Sequence, residues 1–278
     1  LIITGADKKI ESLGVNAAKE WVTGGKKEEF ILLDVRQPEE YRSGHLPGAV
    51  FMPLPDLIDK VGELDPTKPL LVYCRSGNRS RAAAAFLLSE GFSKVYSMDG
   101  GIMAWNGHVA RGSYDEGLFL LKGRETAEEL ISLALLLEEG SRMFYARAAG
   151  LTSDAEAKRV FNTIEKAEAR HKTNIVEAYR LVAGETLSGD ISKGDPSEGV
   201  MESGVRIDDA ISFLKGQGKT LVDILEVSMQ VETNSLDLYI KLSREIENTN
   251  VKKVFGVLIE EEKSHLSRLG KLLGEKIT

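Results

Sequence analysis

The chain has 278 residues, 42% hydrophobic and 28% charged, which is enough for two globular domains with a core each. A formal net charge of −7 with no long Lys/Arg cluster excludes the basic footprint of a nucleic-acid binder. The apolar runs from Ile131 and Leu221 are broken by charge well short of the ~20 residues of a membrane span, and LIITGADKK lacks a signal peptide's basic start, so no membrane partner and a cytoplasmic location are expected.

Up to about Gly112, short β-branched runs alternate with helical stretches, the pattern of an α/β domain with a mostly parallel sheet. FILLDV from Phe30, LLVYC from Leu70 and KVYSM from Lys94 read as strands, with a helix over SRAAAAFLLSEG stopped by Gly91. From about Gly123 onward the apolar spacing is helical. It predicts four long helices, Thr126 to Ala149, Ser153 to Val182, Thr220 to Ile246 and Asn250 to Leu273, with a short helical piece around Ile207 to Leu214. Thr126 with Glu129 and Ser153 with Glu156 fit the capping-box pattern. Short turns make each helix pair an antiparallel hairpin, and a Gly- and Ser-rich crossover ending at Val205 separates the pairs. The domains are expected at 1–115 and 116–278, the apolar Leu118 to Leu121 packing on one or the other.

A single cysteine, Cys74, excludes an internal disulfide, a four-cysteine iron site and a resolving partner within the chain. It closes a strand, RSGNR follows, and a helix is expected to begin near Ser80. That geometry curls the backbone N–H groups of residues 75–80 into a nest under the sulfur and aims a positive helix end at it, which favours the reactive thiolate. Arg75 and Arg79 add positive charge suited to an anionic sulfur donor. A phosphatase loop needs a cysteine, five residues and an arginine; here Arg79 comes one residue early and Ser80 stands at the required place. Asp34 and Arg36 read as architectural, bonded to loop backbone and to Glu39 or Glu40, and His45 as a hydrogen-bonded turn residue. Trp105 is expected to pack.

The segments DVRQPEEYRSGHLPGAV, LLVYCRSGNRS and SMDGGIMAW, in this order, make the region from about Glu11 to Gly112 resemble a single-domain rhodanese. The resemblance implies that Cys74 takes sulfane sulfur from a donor such as thiosulfate, holds it as a persulfide and passes it to a thiol or cyanide acceptor. Arg75, Ser76, Gly77, Asn78, Arg79 and Ser80 would form the loop that binds the substrate, mainly through backbone N–H groups.

In the second half, Glu138, Tyr145, Glu168 and His171 recur as Glu232, Tyr239, Glu262 and His265, each shifted by 94 residues. A constant offset means a duplicated helix pair. Each copy offers a lone Glu and a Glu-x-x-His, whose i, i+3 members share one helix face. Two such hairpins face to face put four carboxylates and two imidazoles in a common core, the ligand set of ferritin-like di-iron and di-manganese bundles. Tyr145 and Tyr239 are two turns beyond Glu138 and Glu232 on the same face, where they either bond ligand carboxylates or simply pack. Glu139, Glu165 and Glu261 read as solvent-facing neighbours.

These positions resemble the rubrerythrin group of the ferritin-like superfamily. The resemblance implies two metal ions per chain, iron ahead of manganese or zinc, reacting with peroxide or dioxygen. Glu168 and Glu262 would bridge, Glu138 and Glu232 would be terminal, and His171 and His265 would serve one metal each. No four-cysteine electron-transfer site is present, so an external electron donor is required, and Ser235 stands where the group typically has an extra glutamate. The fold expected is an α/β rhodanese-like domain followed by an all-α ferritin-like four-helix bundle. Its expected function is sulfur transfer joined to di-iron oxidoreductase chemistry. A competing reading makes the first domain a non-catalytic sensing or docking module and the second an iron-handling partner. In a third, the helices are structural and promote a homodimer.

Overall fold

The computed structural model describes residues 10–24, 29–115, 118, 126–183, 199–201, 205–216 and 220–277. Most of the crossover expected before Val205, and the run after Leu118, lie outside the described residues. The chain divides into two compact units, Leu1–Tyr114 and Asp115–Thr278.

The first unit is built on a five-stranded sheet in the order β1-β5-β4-β2-β3, with every neighbouring pair parallel. The strands are β1 (Glu11–Leu13), β2 (Ile31–Asp34), β3 (Val50–Phe51), β4 (Leu70–Tyr73) and β5 (Val95–Met98). The helices are α1 (Val15–Val22), α2 (Pro38–Ser43), α3 (Leu57–Lys60) and α4 (Asn78–Ser89). The three strands expected from sequence are the central ones; β1 and β3 are edge strands too short to leave a period. Alternation along β4 sorts its side chains between two cores. Leu70, Val72 and Cys74 join Leu33 and Val35 against Ala83, Ala84 and Leu87 of α4, while Leu71 and Tyr73 join Leu32, Ala18 of α1 and Tyr41 of α2. The same alternation therefore points Cys74 at the face that α4 covers.

The second unit consists of α5 (Ala127–Leu151), α6 (Ala155–Ala183), the short α7 (Ile207–Leu214), α8 (Leu221–Glu245) and α9 (Thr249–Ile277). Residues 152–154 turn α5 into α6, and residues 246–248 turn α8 into α9, so each pair is an antiparallel hairpin; α6 packs on α9 across the pairs. Thr126 and Glu129 form the expected capping box. Thr220 and Asp223 form a second one, with Asp in place of the usual Glu. The cap expected at Ser153 belongs to Asp154, whose carboxylate accepts from the N–H groups of Glu156 and Ala157 at 3.0 and 2.9 Å. A carboxylate is the stronger acceptor and complements the helix dipole.

Apolar residues of the four long helices form two clusters. One gathers Phe144, Phe161, Leu225 and Leu269; the other gathers Ile131, Leu137, Leu242 and Phe255. Glu138, Glu168 and Glu262, all buried, fall between the two along α5, α6 and α9, and the buried Glu232 lies in α8 near the end of that helix's share of the first cluster. The helical unit thus has a polar layer between two apolar ends. Leu118 packs against the second cluster.

Candidate functional site

Cys74 is 1% exposed and follows the last residue of β4. Gly77 caps α4 with φ +100°, a left-handed conformation that turns its N–H back onto Cys74 Sγ at 3.1 Å. Burial raises the thiol's pKa. The N–H and hydroxyl of Ser80 and the N–H groups of Gly77 and Ser76 outweigh it, and the group titrates below an ordinary thiol. The leading favourable groups are thus the loop's own donors rather than the arginines. Ser80 is buried, its hydroxyl 3.1 Å from the Gly77 carbonyl and 2.9 Å from the Ser97 hydroxyl. Arg75, Ser76 and Asn78 are exposed around the loop.

The segment after β5 braces the loop from the other side. Ile102 N–H donates to the Cys74 carbonyl at 2.8 Å and Met103 N–H to that of Arg75 at 3.0 Å. Gly101 makes this approach at φ +58°, and a Cβ there would overlap both carbonyls.

Arg79 is held rather than free. Its guanidinium donates to both oxygens of Glu40 at 2.6 and 2.7 Å, which keeps the Glu40 carboxyl at about 2. Glu40 also closes the start of α2 by accepting from Gln37 N–H at 3.1 Å, so one side chain ties α2 to the cysteine loop. The expectation that Glu39 or Glu40 pairs with Arg36 is corrected here. Arg36 forks onto Asp34 at 2.7 to 3.0 Å and donates to the Gly44 carbonyl, both residues being buried, while Glu39 pairs with Arg42. His45 is a turn residue. It exchanges backbone hydrogen bonds with Ala110, stacks on Tyr41 at 3.7 Å and holds Nδ1 2.9 Å from the Tyr41 carbonyl. Trp105 packs on the core formed with α1 and α2.

In the helical unit, the four glutamates and two histidines of the repeat are all buried and meet in the polar layer. Ligand atoms of Glu168, His171 and His265, and of Glu232, Glu262 and His265, come within 4.8 Å of one another in each group. His171 Nδ1 is 3.1 Å from Glu168 Oε2 and 3.3 Å from Glu138 Oε2. On the other side, His265 Nδ1 is 3.0 Å from Glu232 Oε2 and 3.2 Å from Glu168 Oε1. The imidazoles lie nearly parallel, with centroids 5.4 Å apart. Burial raises the Glu232 carboxyl's pKa, but His265, Glu262 and the Tyr145 hydroxyl overcome it and leave the group below the usual carboxylate range.

Both tyrosines are hydrogen-bond donors, each to the other hairpin. Tyr145 donates to Glu232 and Tyr239 to Glu138 Oε1 at 2.9 Å. Glu139, Glu165 and Glu261 are half-buried, correcting their assignment to open solvent. Glu139 pairs with Arg142 and Lys172, which hold it at about 2, and Glu165 pairs with Arg142. Glu261 Oε2 lies 3.1 Å from His171 Nε2, and burial raises its pKa. Sequence reasoning missed the roles of Glu40 and Glu261. For Glu261 a signal existed, because Glu262 is preceded by Glu and its repeat counterpart Glu168 by Ala167.

Among the described residues no helix is long and apolar enough to cross a membrane. Residues 17–108 match the rhodanese-like domain family. A thiosulfate sulfurtransferase GlpE of Pseudomonas syringae pv. syringae is 42% identical over 80 residues, covering 29% of this chain and 76% of that protein. The protein of the same name from Pseudomonas entomophila is 38% identical over 92 residues, 32% of this chain and 84% of that one. The solution structure of a rhodanese-like domain from Anabaena sp. aligns with 37% of this chain and 80% of its own length at 29% identity and a TM-score of 0.35. Through its N-terminal α/β unit, with the cysteine loop at the end of β4, the chain belongs to the rhodanese-like family.

Proposed function

We propose that the first unit is a sulfurtransferase that carries sulfane sulfur on Cys74, and that the helical unit is a ferritin-like domain holding a pair of metal ions. The sulfur reading rests on the Gly77 N–H on Cys74 Sγ, within a loop whose donors lower the thiol. The Cys74 thiolate attacks the outer sulfur of thiosulfate. A new S–S bond forms, the S–S bond of thiosulfate breaks, and sulfite leaves with the electron pair. A thiol or cyanide then attacks the outer sulfur of the persulfide and returns Cys74 to the thiolate. Loop N–H groups stabilise the anion before and after each transfer, so no general base is required. Arg75 is exposed at the loop to meet an anionic donor, and Glu40 keeps Arg79 beside it.

The residues of the polar layer fit a metal pair. Four carboxylates and two imidazoles are buried together, and His265 belongs to both candidate donor groups. Carboxylates so close in a low-dielectric core repel one another, and cations offset that repulsion. Glu168 and Glu262 would bridge, Glu138 and Glu232 would be terminal, and His171 and His265 would each present Nδ1. Iron, ahead of manganese or zinc, would supply redox chemistry toward peroxide or dioxygen when bound, drawing on an external electron donor. Tyr145 and Tyr239 hold the terminal carboxylates in place.

The test is protein purified anaerobically from iron-replete cells, assayed for thiocyanate from thiosulfate and cyanide, for a Cys74 persulfide by intact mass, and for metal by elemental analysis. The reading expects turnover, the adduct and about two ions per chain. Absence of turnover and adduct defeats the sulfur reading; protein that takes up no added Fe(II) defeats the metal reading.

A further inference from the structure

The 94-residue repeat is broken beside the layer. Glu261 precedes Glu262, whereas the buried Ala167 precedes Glu168. Glu261 reaches across from α9 to α6, its Oε2 3.1 Å from His171 Nε2. The other nitrogen of that ring, Nδ1, faces Glu168 and Glu138. A neutral imidazole has one donor and one acceptor nitrogen. With a cation on Nδ1, the hydrogen sits on Nε2, and the acceptor within reach is Glu261 Oε2, a buried oxygen with no hydrogen-bond partner of its own among the described residues. For His265, the position equivalent to Glu261 carries only the methyl group of Ala167, which has no oxygen to offer.

We propose that Glu261 is a positioning residue that makes the two metal positions unequal, fixing the tautomer and orientation of His171 while Ala167 offers His265 no such support. This deepens the metal-pair reading above and rests on it. A carboxylate on the far nitrogen makes an imidazole a more basic and more rigid ligand. The ion beside His171 therefore binds first, and the ion beside His265 second. The Glu261 side chain is 26% exposed and outside both apolar clusters, so its removal spares the core.

The experiment titrates metal-stripped full-length protein with Co(II), following heat and the visible spectrum, in the native chain and in Glu261→Ala and Glu261→Gln. Native protein should load two ions in separate steps. Glu261→Ala should weaken the tighter step by about 10- to 100-fold and the weaker one by far less, since Glu261 acts on His265 only through its charge, and Glu261→Gln, whose amide oxygen still accepts, should fall between. In 15N-edited NMR of the loaded protein, the slowly exchanging His171 Nε2–H should be present in the native chain and lost in Glu261→Ala. Two ions bound with both affinities unchanged by Glu261→Ala would overturn the proposal while sparing the metal pair. Equal weakening of both steps would also overturn it, as a diffuse charge effect. Native protein that binds no Co(II) would remove the metal-pair reading itself and this proposal with it.

Discussion

Tyr239 on α8 donates its hydroxyl hydrogen to Glu138 on α5, 101 residues away and in the other hairpin. The mirror contact, Tyr145 to Glu232, crosses in the opposite direction. Each hairpin thus supplies the donor that holds the other's carboxylate. Removing one hydroxyl leaves a buried carboxylate short of a donor, so Tyr239→Phe should cost about 1–3 kcal/mol in urea unfolding. A double-mutant cycle should find coupling between Tyr239 and Glu138 and none between Tyr239 and Glu232. Coupling within one hairpin instead would contradict the crossed arrangement.

Cys74→Ser should abolish thiocyanate formation and leave the fold and any bound metal unchanged, since a hydroxyl forms no persulfide. Circular dichroism and metal content control for the fold. Substantial residual turnover would show that the cysteine does not carry the sulfur.

The pH dependence follows from two depressed acids. Cys74 titrates below an ordinary thiol because the loop's donors outweigh its burial, so alkylation should rise with pH through a midpoint lower than that of a free cysteine measured alongside. Its contribution to stability is present above the unfolded thiol's pKa and is lost as pH falls through the folded one. Glu40, held at about 2 by Arg79, keeps its pair intact until pH drops below the ordinary carboxylate range toward that value. Between pH 5 and 9 the alkylation profile should therefore show Cys74 alone. Glu40→Gln releases Arg79 and should raise KM for thiosulfate several-fold with a smaller change in kcat. An unchanged KM would relieve Arg79 of any part in binding.

Gly101→Ala tests the brace behind the loop. The added methyl meets two backbone carbonyls at a left-handed φ, which should destabilise the first unit by about 1–3 kcal/mol and depress turnover. Thermal unfolding and the thiocyanate assay read the two effects. A neutral outcome would mean that the loop tolerates displacement.

If the polar layer holds a metal pair as proposed, His171→Ala and His265→Ala should each lower occupancy chiefly at one position, whereas Glu168→Ala and Glu262→Ala should disrupt both. Elemental analysis after dialysis against Fe(II) distinguishes these patterns. Equal loss in all four variants would argue against bridging carboxylates.

The parts of this chain visible in its sequence are those with a period. Central strands β2, β4 and β5 announce themselves by apolar runs, and the long helices by 3.6-residue spacing. Edge strands of three and two residues, β1 and β3, carry no such signal. That the four glutamates and two histidines share one buried layer was legible because the repeat writes them twice. Which carboxylate Tyr145 or Tyr239 reaches was not, because spacing along one helix says nothing about what the neighbouring hairpin presents. Glu40 and Arg79 are 39 residues apart and meet only through the fold. Glu261 was hidden by its setting, one more acid in a run of three, until its distance to His171 distinguished it.

The three-residue turns at 152–154 and 246–248 also shape how the second unit comes together. Contacts within α5–α6 and α8–α9 close small loops and form early, at little entropic cost. The tyrosine–carboxylate contacts close loops of 87 and 101 residues and must wait until the hairpins dock. Docking is also the moment at which four carboxylates leave water. On the proposed reading, a cation present then relieves their repulsion, which makes the late docking step, rather than hairpin formation, the one whose rate depends on metal.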